Sequence, residues 1–266
     1  MILNSIGSSH RDVKIVYSSE YGKRYPANPV ENPDRVCLPA VELKRAGYDF
    51  VKPQPCTLQD ISLVHGKEHI DRVKASGHLE AASLAAGGAI CAAELAANGE
   101  PAFALIRPPG HHAAANRAWG MCYFNNMAIA VQRIRPGAKR VLIIDIDLHF
   151  GDGTVSIFRG DHDVRIVNPG SVDANFDYLT MDARGYLKQV ESAAGENSFD
   201  IVGVSAGFDT YREDWDGLLG IEDYKKIGEI IKGISKSCTG KRFALLEGGY
   251  HSDLGRCILS FLEGFG

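Results

Sequence analysis

Asp145, Asp147 and His149 alternate where the apolar run VLIIDID (141 to 147) gives out. In an extended segment that i, i+2, i+4 spacing turns three side chains to one face. One imidazole with one or two carboxylates makes half of a metal site, although an acidic strand end can equally be a solvated edge. A third anionic ligand separates the two readings, and Asp209, just after the glycine-ended run IVGVSAG (201 to 207), is placed to supply it. Three protein ligands with an open position define a catalytic zinc site, whereas structural sites are closed by four ligands, commonly with cysteine. None of the six cysteines (37, 56, 91, 122, 238, 257) adjoins these ligands. The acidic neighbours Glu213, Asp214 and Asp216 read as a solvated loop.

His111 and His112 follow Pro-Pro-Gly, a stiff turn that presents adjacent imidazoles at a fixed height. A buried pair needs partners, and Asp145 and Asp152, left over once Asp147 and His149 take a metal, can each accept an imidazole N–H. Tyr250 follows Glu247-Gly248-Gly249, where the backbone can approach closely. Its phenol either donates to a developing oxyanion or simply packs.

These clusters require elements that bring them together. Four apolar, β-branched runs recur with room for helices between them: FALIR (103 to 107), VLIIDID (141 to 147), IVGVSAG (201 to 207) and FALLEGG (243 to 249). VRIVN (164 to 168) predicts a fifth strand and VKIVY (13 to 17) an edge strand. Helical spacing occupies 79 to 98, 124 to 134, 183 to 194 and 222 to 237. The alternation predicts an α/β fold, a parallel sheet with helices on both faces. Ligands in such sheets bind beyond the carboxyl ends of the strands, where all four clusters fall. No repeat, linker or low-complexity tract interrupts residues 1 to 266, so one catalytic domain is expected.

Bulk properties set the class. With 45% hydrophobic and 23% charged residues the chain is of ordinary globular composition, and a net charge of -4 without a basic run argues against nucleic acid as a partner. The N-terminal MILNSIGSSHRDVK lacks an export pattern, no stretch approaches ~18 uninterrupted apolar residues, and the cysteines form no CxxC pair. No membrane partner, reduced and mostly buried thiols, and a cytoplasmic location are the expectation.

With these residues in view, the chain resembles the histone deacetylase and acetylpolyamine amidohydrolase family, of the arginase-deacetylase fold. The resemblance lies in RPPGHHA (107 to 113), GMCYFNN (120 to 126), DIDLHFGDGT (145 to 154), SAGFDTYREDWDGLLG (205 to 220) and EGGYH (247 to 251), with weaker likeness at 28 to 36, 63 to 73 and near residue 87. It implies that Asp147, His149 and Asp209 hold one zinc ion and that Tyr250 polarises the substrate carbonyl. His111 and His112 become the catalytic histidines, paired with Asp145 and Asp152, and His112 the general base that later protonates the leaving amine. It also implies a potassium ion bound partly through the backbone carbonyls of Asp145, Asp147 and His149. The activity implied is hydrolysis of an acyl-amide, an N-acetyl group above all, by metal-activated water. The substrate would be a small molecule or an acyl-lysine, and self-association into a homo-oligomer stays open.

The chain departs from the family pattern at Phe150, where a second histidine is usual, and at Met121, where an aromatic residue usually lines the channel. The segments from Asn168 to Tyr178 and from Val73 to Leu84 are short, which predicts a wider, shallower entrance. Two other readings compete: a homologue that binds zinc and an acyl ligand without turnover, and an arginase-like hydrolase with two manganese ions.

Overall fold

Strands that are apolar on both sides have no face to turn to water, so they pair inside a sheet that is covered twice. The computed structural model describes residues 12–171, 181–195, 198–215, 217–237 and 239–266. Its strands are β1 (Lys14–Val16), β2 (Phe50–Val51), β3 (Ala102–Ala104), β4 (Val141–Asp145), β5 (Val164–Val167), β6 (Ile201–Ala206) and β7 (Arg242–Leu246). They form one seven-stranded sheet in the order β2-β1-β3-β7-β6-β4-β5. All neighbours run parallel. The four long apolar runs thus lie side by side at the centre, as β3-β7-β6-β4, and every residue in them is buried. Their carboxyl ends share one rim.

The helices are α1 (Asp34–Arg45), α2 (Leu58–Ser62), α3 (Lys67–Ala75), α4 (Leu79–Ala97), α5 (Asn126–Ile134), α6 (Asp152–Ile157), α7 (Ala183–Glu191), α8 (Ile221–Ser237) and α9 (Leu254–Phe265). The four helices expected from spacing are α4, α5, α7 and α8. The second begins at Asn126, not at 124, because the Asn125 side chain accepts the Ala128 N–H and caps the helix there. Helices flank the sheet on both faces: α4 packs with α5, while α9 packs between α1 and α8, and α8 against α7. Phe103 meets Phe261 of α9 on one face of the sheet, while Phe243, one register position out of step with Phe103, packs on the other. All three side chains are fully buried, each such burial stabilising by about 1.5–3 kcal/mol. A smaller cluster, with Ile61, Ile70, Phe124 and Ile129, supports the loops that lead to the rim.

Among the described residues one helix, α4, is long and apolar enough to cross a membrane, but 67% of its apolar window is buried inside the molecule. Cys37, Cys56, Cys91, Cys122 and Cys257 are all free thiols. Three of them are only half-buried, so the expectation of mostly buried thiols fits Cys122 and Cys257 alone. The N-terminal residues 1–11, Cys238 and Asp216 lie outside the described residues.

Candidate active site and metal centre

The turn after β3 carries His111 and His112, and a carboxylate from the end of β7 holds it. Glu247 Oε2 accepts the N–H groups of Gly110 (2.6 Å) and His111 (3.2 Å), and Oε1 accepts the Ser205 hydroxyl. Glu247 is wholly buried, and burial pushes its carboxyl up to about 7. From this turn His111 Nδ1 meets Asp145 Oδ2 at 3.0 Å, and His112 Nδ1 meets Asp152 Oδ1 at 2.7 Å. The two imidazoles lie side by side, with centroids 4.0 Å apart.

The adjacent rings sit in different fields. Burial works against a charge on His111, but Asp147, 3.7 Å from its Nε2, and Asp145 outweigh burial and hold its pKa well above the ordinary imidazole value. For His112 burial and the charge on His111 act together, and they push it down to about 4. At neutral pH His112 is therefore an uncharged imidazole. With Nδ1 committed to Asp152, its Nε2 is free of the proton.

Strand β4 ends at Asp145, and the next residues curl, contrary to the extended run expected through His149. The Asp147 N–H donates to Asp145 Oδ1 (3.2 Å) and the His149 N–H to Asp147 Oδ1 (2.9 Å), side-chain acceptors that bend the backbone locally. The curl brings His149 Nδ1 within 3.1 Å of Asp147 Oδ1 and 3.2 Å of Asp209 Oδ2. Asp209, from the end of β6, accepts the Leu148 N–H through Oδ1. Ligand atoms from Asp147, His149 and Asp209 all lie within 4.8 Å of one another.

This cluster fits a divalent cation. Asp209 Oδ2 is buried, has no hydrogen-bond partner among the described residues, and faces His149 Nδ1 at 3.2 Å as an ion pair. Burial and Asp147 push Asp209 up to about 6, and, against burial, Asp147 and Asp209 raise His149 to about 10. The donor set of two carboxylates and one imidazole is one zinc accepts. At Gly248 a Cβ would stand 2.4 Å from Asp209 Oδ2 and 2.6 Å from Asp147 Oδ2, so only glycine fits beside the cluster.

Tyr250 follows on the same strand end. Arg35 crosses the molecule to donate to the carbonyls of Gly249 (2.7 Å) and Glu247, and its guanidinium stands 4.7 Å from the Tyr250 ring centroid. The Tyr250 and His251 N–H groups both donate to Asp214 Oδ2, at 2.7 and 2.8 Å. Asp214 is therefore a structural anchor and not part of a solvated loop, whereas Glu213 is exposed. Burial raises the Tyr250 hydroxyl well above the ordinary tyrosine value, which keeps it protonated as a donor.

A cavity of about 350 Å³ opens on these groups, lined by His111, His112, Asp147, His149, Gly248 and Tyr250 together with Met121, Trp119 and Trp215. Trp119 stacks on His112 and Trp215 on Tyr250. The structure thus draws Asp145, Asp147, His149, Asp152, Asp209, His111, His112 and Tyr250 to one place. Sequence reasoning missed Arg35, the supporting role of Glu247, and both tryptophans. The chain has two tryptophans and both border this cavity, a placement that their number alone does not signal. Of the two short segments, Ser76, Gly77 and His78 alone join α3 to α4, while residues 172–180 lie outside the described residues.

A family model described as the histone deacetylase domain matches residues 29–176, a stretch that includes His111 through Asp152. The chain is 32% identical to a "Probable deacetylase" of Methanothermobacter thermautotrophicus, over 94% of this chain and 89% of that protein. It is 31% identical to histone deacetylase 15 of Arabidopsis thaliana over 90% of this chain and 53% of the plant protein, so it spans about half of that relative. Among solved structures, acetylpolyamine aminohydrolase from Burkholderia pseudomallei is similar with a TM-score of 0.84 and 22% identity, covering 96% of this chain and 98% of that one. At that identity the likeness speaks to the fold alone.

Proposed function

Because this chain belongs to the histone deacetylase family and is a hydrolytic deacetylase, we propose that residues 1–266 act as one catalytic domain that cleaves an acyl-amide, an N-acetyl amide above all, with one zinc ion held by Asp147, His149 and Asp209. The observation that carries this reading is the cluster of buried Asp209, whose Oδ2 has no hydrogen-bond partner among the described residues, with Asp147 and His149, the last two lining a cavity that His112 and Tyr250 also line. When bound, zinc supplies Lewis acidity, polarising the acyl carbonyl and acidifying a water.

The chain's own groups do the rest. His112, neutral and fixed through Nδ1 by Asp152, accepts the proton of the attacking water at Nε2 and returns it to the departing amine. His111 keeps its proton between Asp145 and Asp147 and offers positive charge to the developing anion. Tyr250, held protonated by burial, donates its hydroxyl to the carbonyl oxygen as that oxygen gains charge. The carboxylates that a second metal would need, Asp145 and Asp152, are already engaged by imidazoles, which favours one metal over an arginase-like pair. The products are a carboxylate and a free amine, from a small acylated amine or an acyl-lysine.

Two variants of the zinc-loaded protein test the assignment. Tyr250→Phe is expected to lower kcat by about 100-fold, in line with loss of one oxyanion donor, and His112→Ala by about 100-fold or more. Zinc stoichiometry should stay unchanged in both. Parent-like kcat in either variant would remove that residue from the mechanism.

A further inference from the structure

Trp119 has no role in the chemistry above, yet it touches both members of the His112–Asp152 pair. Its indole N–H lies 3.2 Å from Asp152 Oδ1 and 3.1 Å from Oδ2, while His112 Nδ1 takes Oδ1 at 2.7 Å. Its ring stacks on the His112 imidazole with centroids 3.9 Å apart and planes 30° apart. One side chain therefore fixes the carboxylate by a hydrogen bond and the imidazole by its face.

The backbone is shaped to this contact. Gly120 has φ +58°, and a Cβ there would stand 2.5 Å from His112 Cδ2. Met121 follows with φ +64°, a left-handed conformation that non-glycine residues rarely adopt. Two consecutive left-handed residues wrap the chain around His112, and such departures are kept where the surroundings over-determine them. Asp152 is left 9% exposed, while Trp119 itself is 39% exposed.

We propose that Trp119 is a positioning residue for the reaction: its N–H sets the rotamer of the Asp152 carboxylate and its ring sets the plane of His112, so that Nε2 is aimed into the cavity. This rests on the reading of His112 as proton acceptor. Trp119 also lines the cavity and so could instead act as a wall for substrate. The two roles separate in kinetics, because a positioning residue acts on kcat and a wall acts on KM.

The test combines kinetics with NMR of the zinc-loaded protein carrying ¹⁵N-histidine, in which the His112 Nδ1 proton is assigned by its loss in His112→Gln. Trp119→Ala is expected to lower kcat by about 10- to 100-fold with KM within about twofold, the scale of a misaligned catalytic group. The His112 Nδ1 proton should then exchange with water faster than in the parent. Trp119→Phe, which keeps the stack and loses the N–H, should fall between, and it carries the test if the alanine variant does not fold. A raised KM at unchanged kcat overturns positioning in favour of a substrate wall. A His112 proton signal unchanged in both variants overturns it whatever the kinetics. If the parent cleaves no acyl-amide while the proton signal responds as expected, the functional reading falls and the positioning contact stands.

Discussion

A carboxylate oxygen kept in the interior without a hydrogen-bond partner costs the fold about 1–3 kcal/mol, and Asp209 keeps one, offset in part by the His149 imidazole 3.2 Å away. A structure retains such a group where something else completes it. Asp209→Asn preserves an acceptor for the Leu148 N–H and removes the buried charge. The metal-free variant is expected to melt no lower than the metal-free parent, while the rise in Tm that zinc gives the parent should disappear. Calorimetry with and without zinc checks both halves, and an intact zinc-dependent rise would remove Asp209 from the ligand set. Residue types were legible at this scale: aspartates and histidines at strand ends announce chemistry by their identity. Trp119, Trp215 and Arg35 were not, because an aromatic or an arginine gains its role only from what folds against it. Arg35 reaches carbonyls more than two hundred positions away, which no local pattern encodes.

At the scale of elements, His65 shows how a loop bearing catalytic groups is held. Its Nε2 accepts the Asn125 N–H at 2.9 Å, so Nδ1 carries the proton and donates to the Ala114 carbonyl at 3.1 Å. Protonating Nε2 would set it against the Asn125 N–H. Burial and the neighbouring His69 push His65 down to about 4. With the folded value below the unfolded value of about 6.5, the stabilisation is complete above pH 6.5 and is lost as pH falls toward 4, where only the unfolded chain takes up the proton. The loss attributable to His65 is on the order of 3 kcal/mol by pH 4. His65→Gln can accept from Asn125 and donate to Ala114 without titrating. Urea unfolding at stepped pH should therefore show a shallower acid decline in the variant, and identical slopes would contradict the account. The central strands were legible because apolar runs bounded by Pro and Gly leave few alternatives. Helix α1 was hidden by Pro39 inside it, which reads as a break. Helix α9 carries a plain signal of its own, since Leu254, Cys257, Ile258, Phe261, Leu262 and Phe265 recur at helical spacing. The curl after Asp145 was illegible because alternation looks the same whether a strand continues or turns on its own carboxylates.

For the whole molecule, the parallel order β3-β7-β6-β4 is what gathers residues from His111 to Tyr250 onto one rim. The crevice beyond strand ends was expected from the βαβ alternation, and the sheet order supplies what alternation could not, namely which ends are neighbours. The central claim is that this rim holds one catalytic metal for amide hydrolysis. The most direct measurement is titration of zinc into chelator-treated protein while following release of free amine from a panel of small acetylated amines and acetyl-lysine peptides. The account predicts no hydrolysis without metal, and a rise that is linear in zinc and reaches its plateau at one ion per chain. Hydrolysis at full rate in the chelated protein, a plateau at two ions, or no amine released from any substrate at full zinc loading would contradict it.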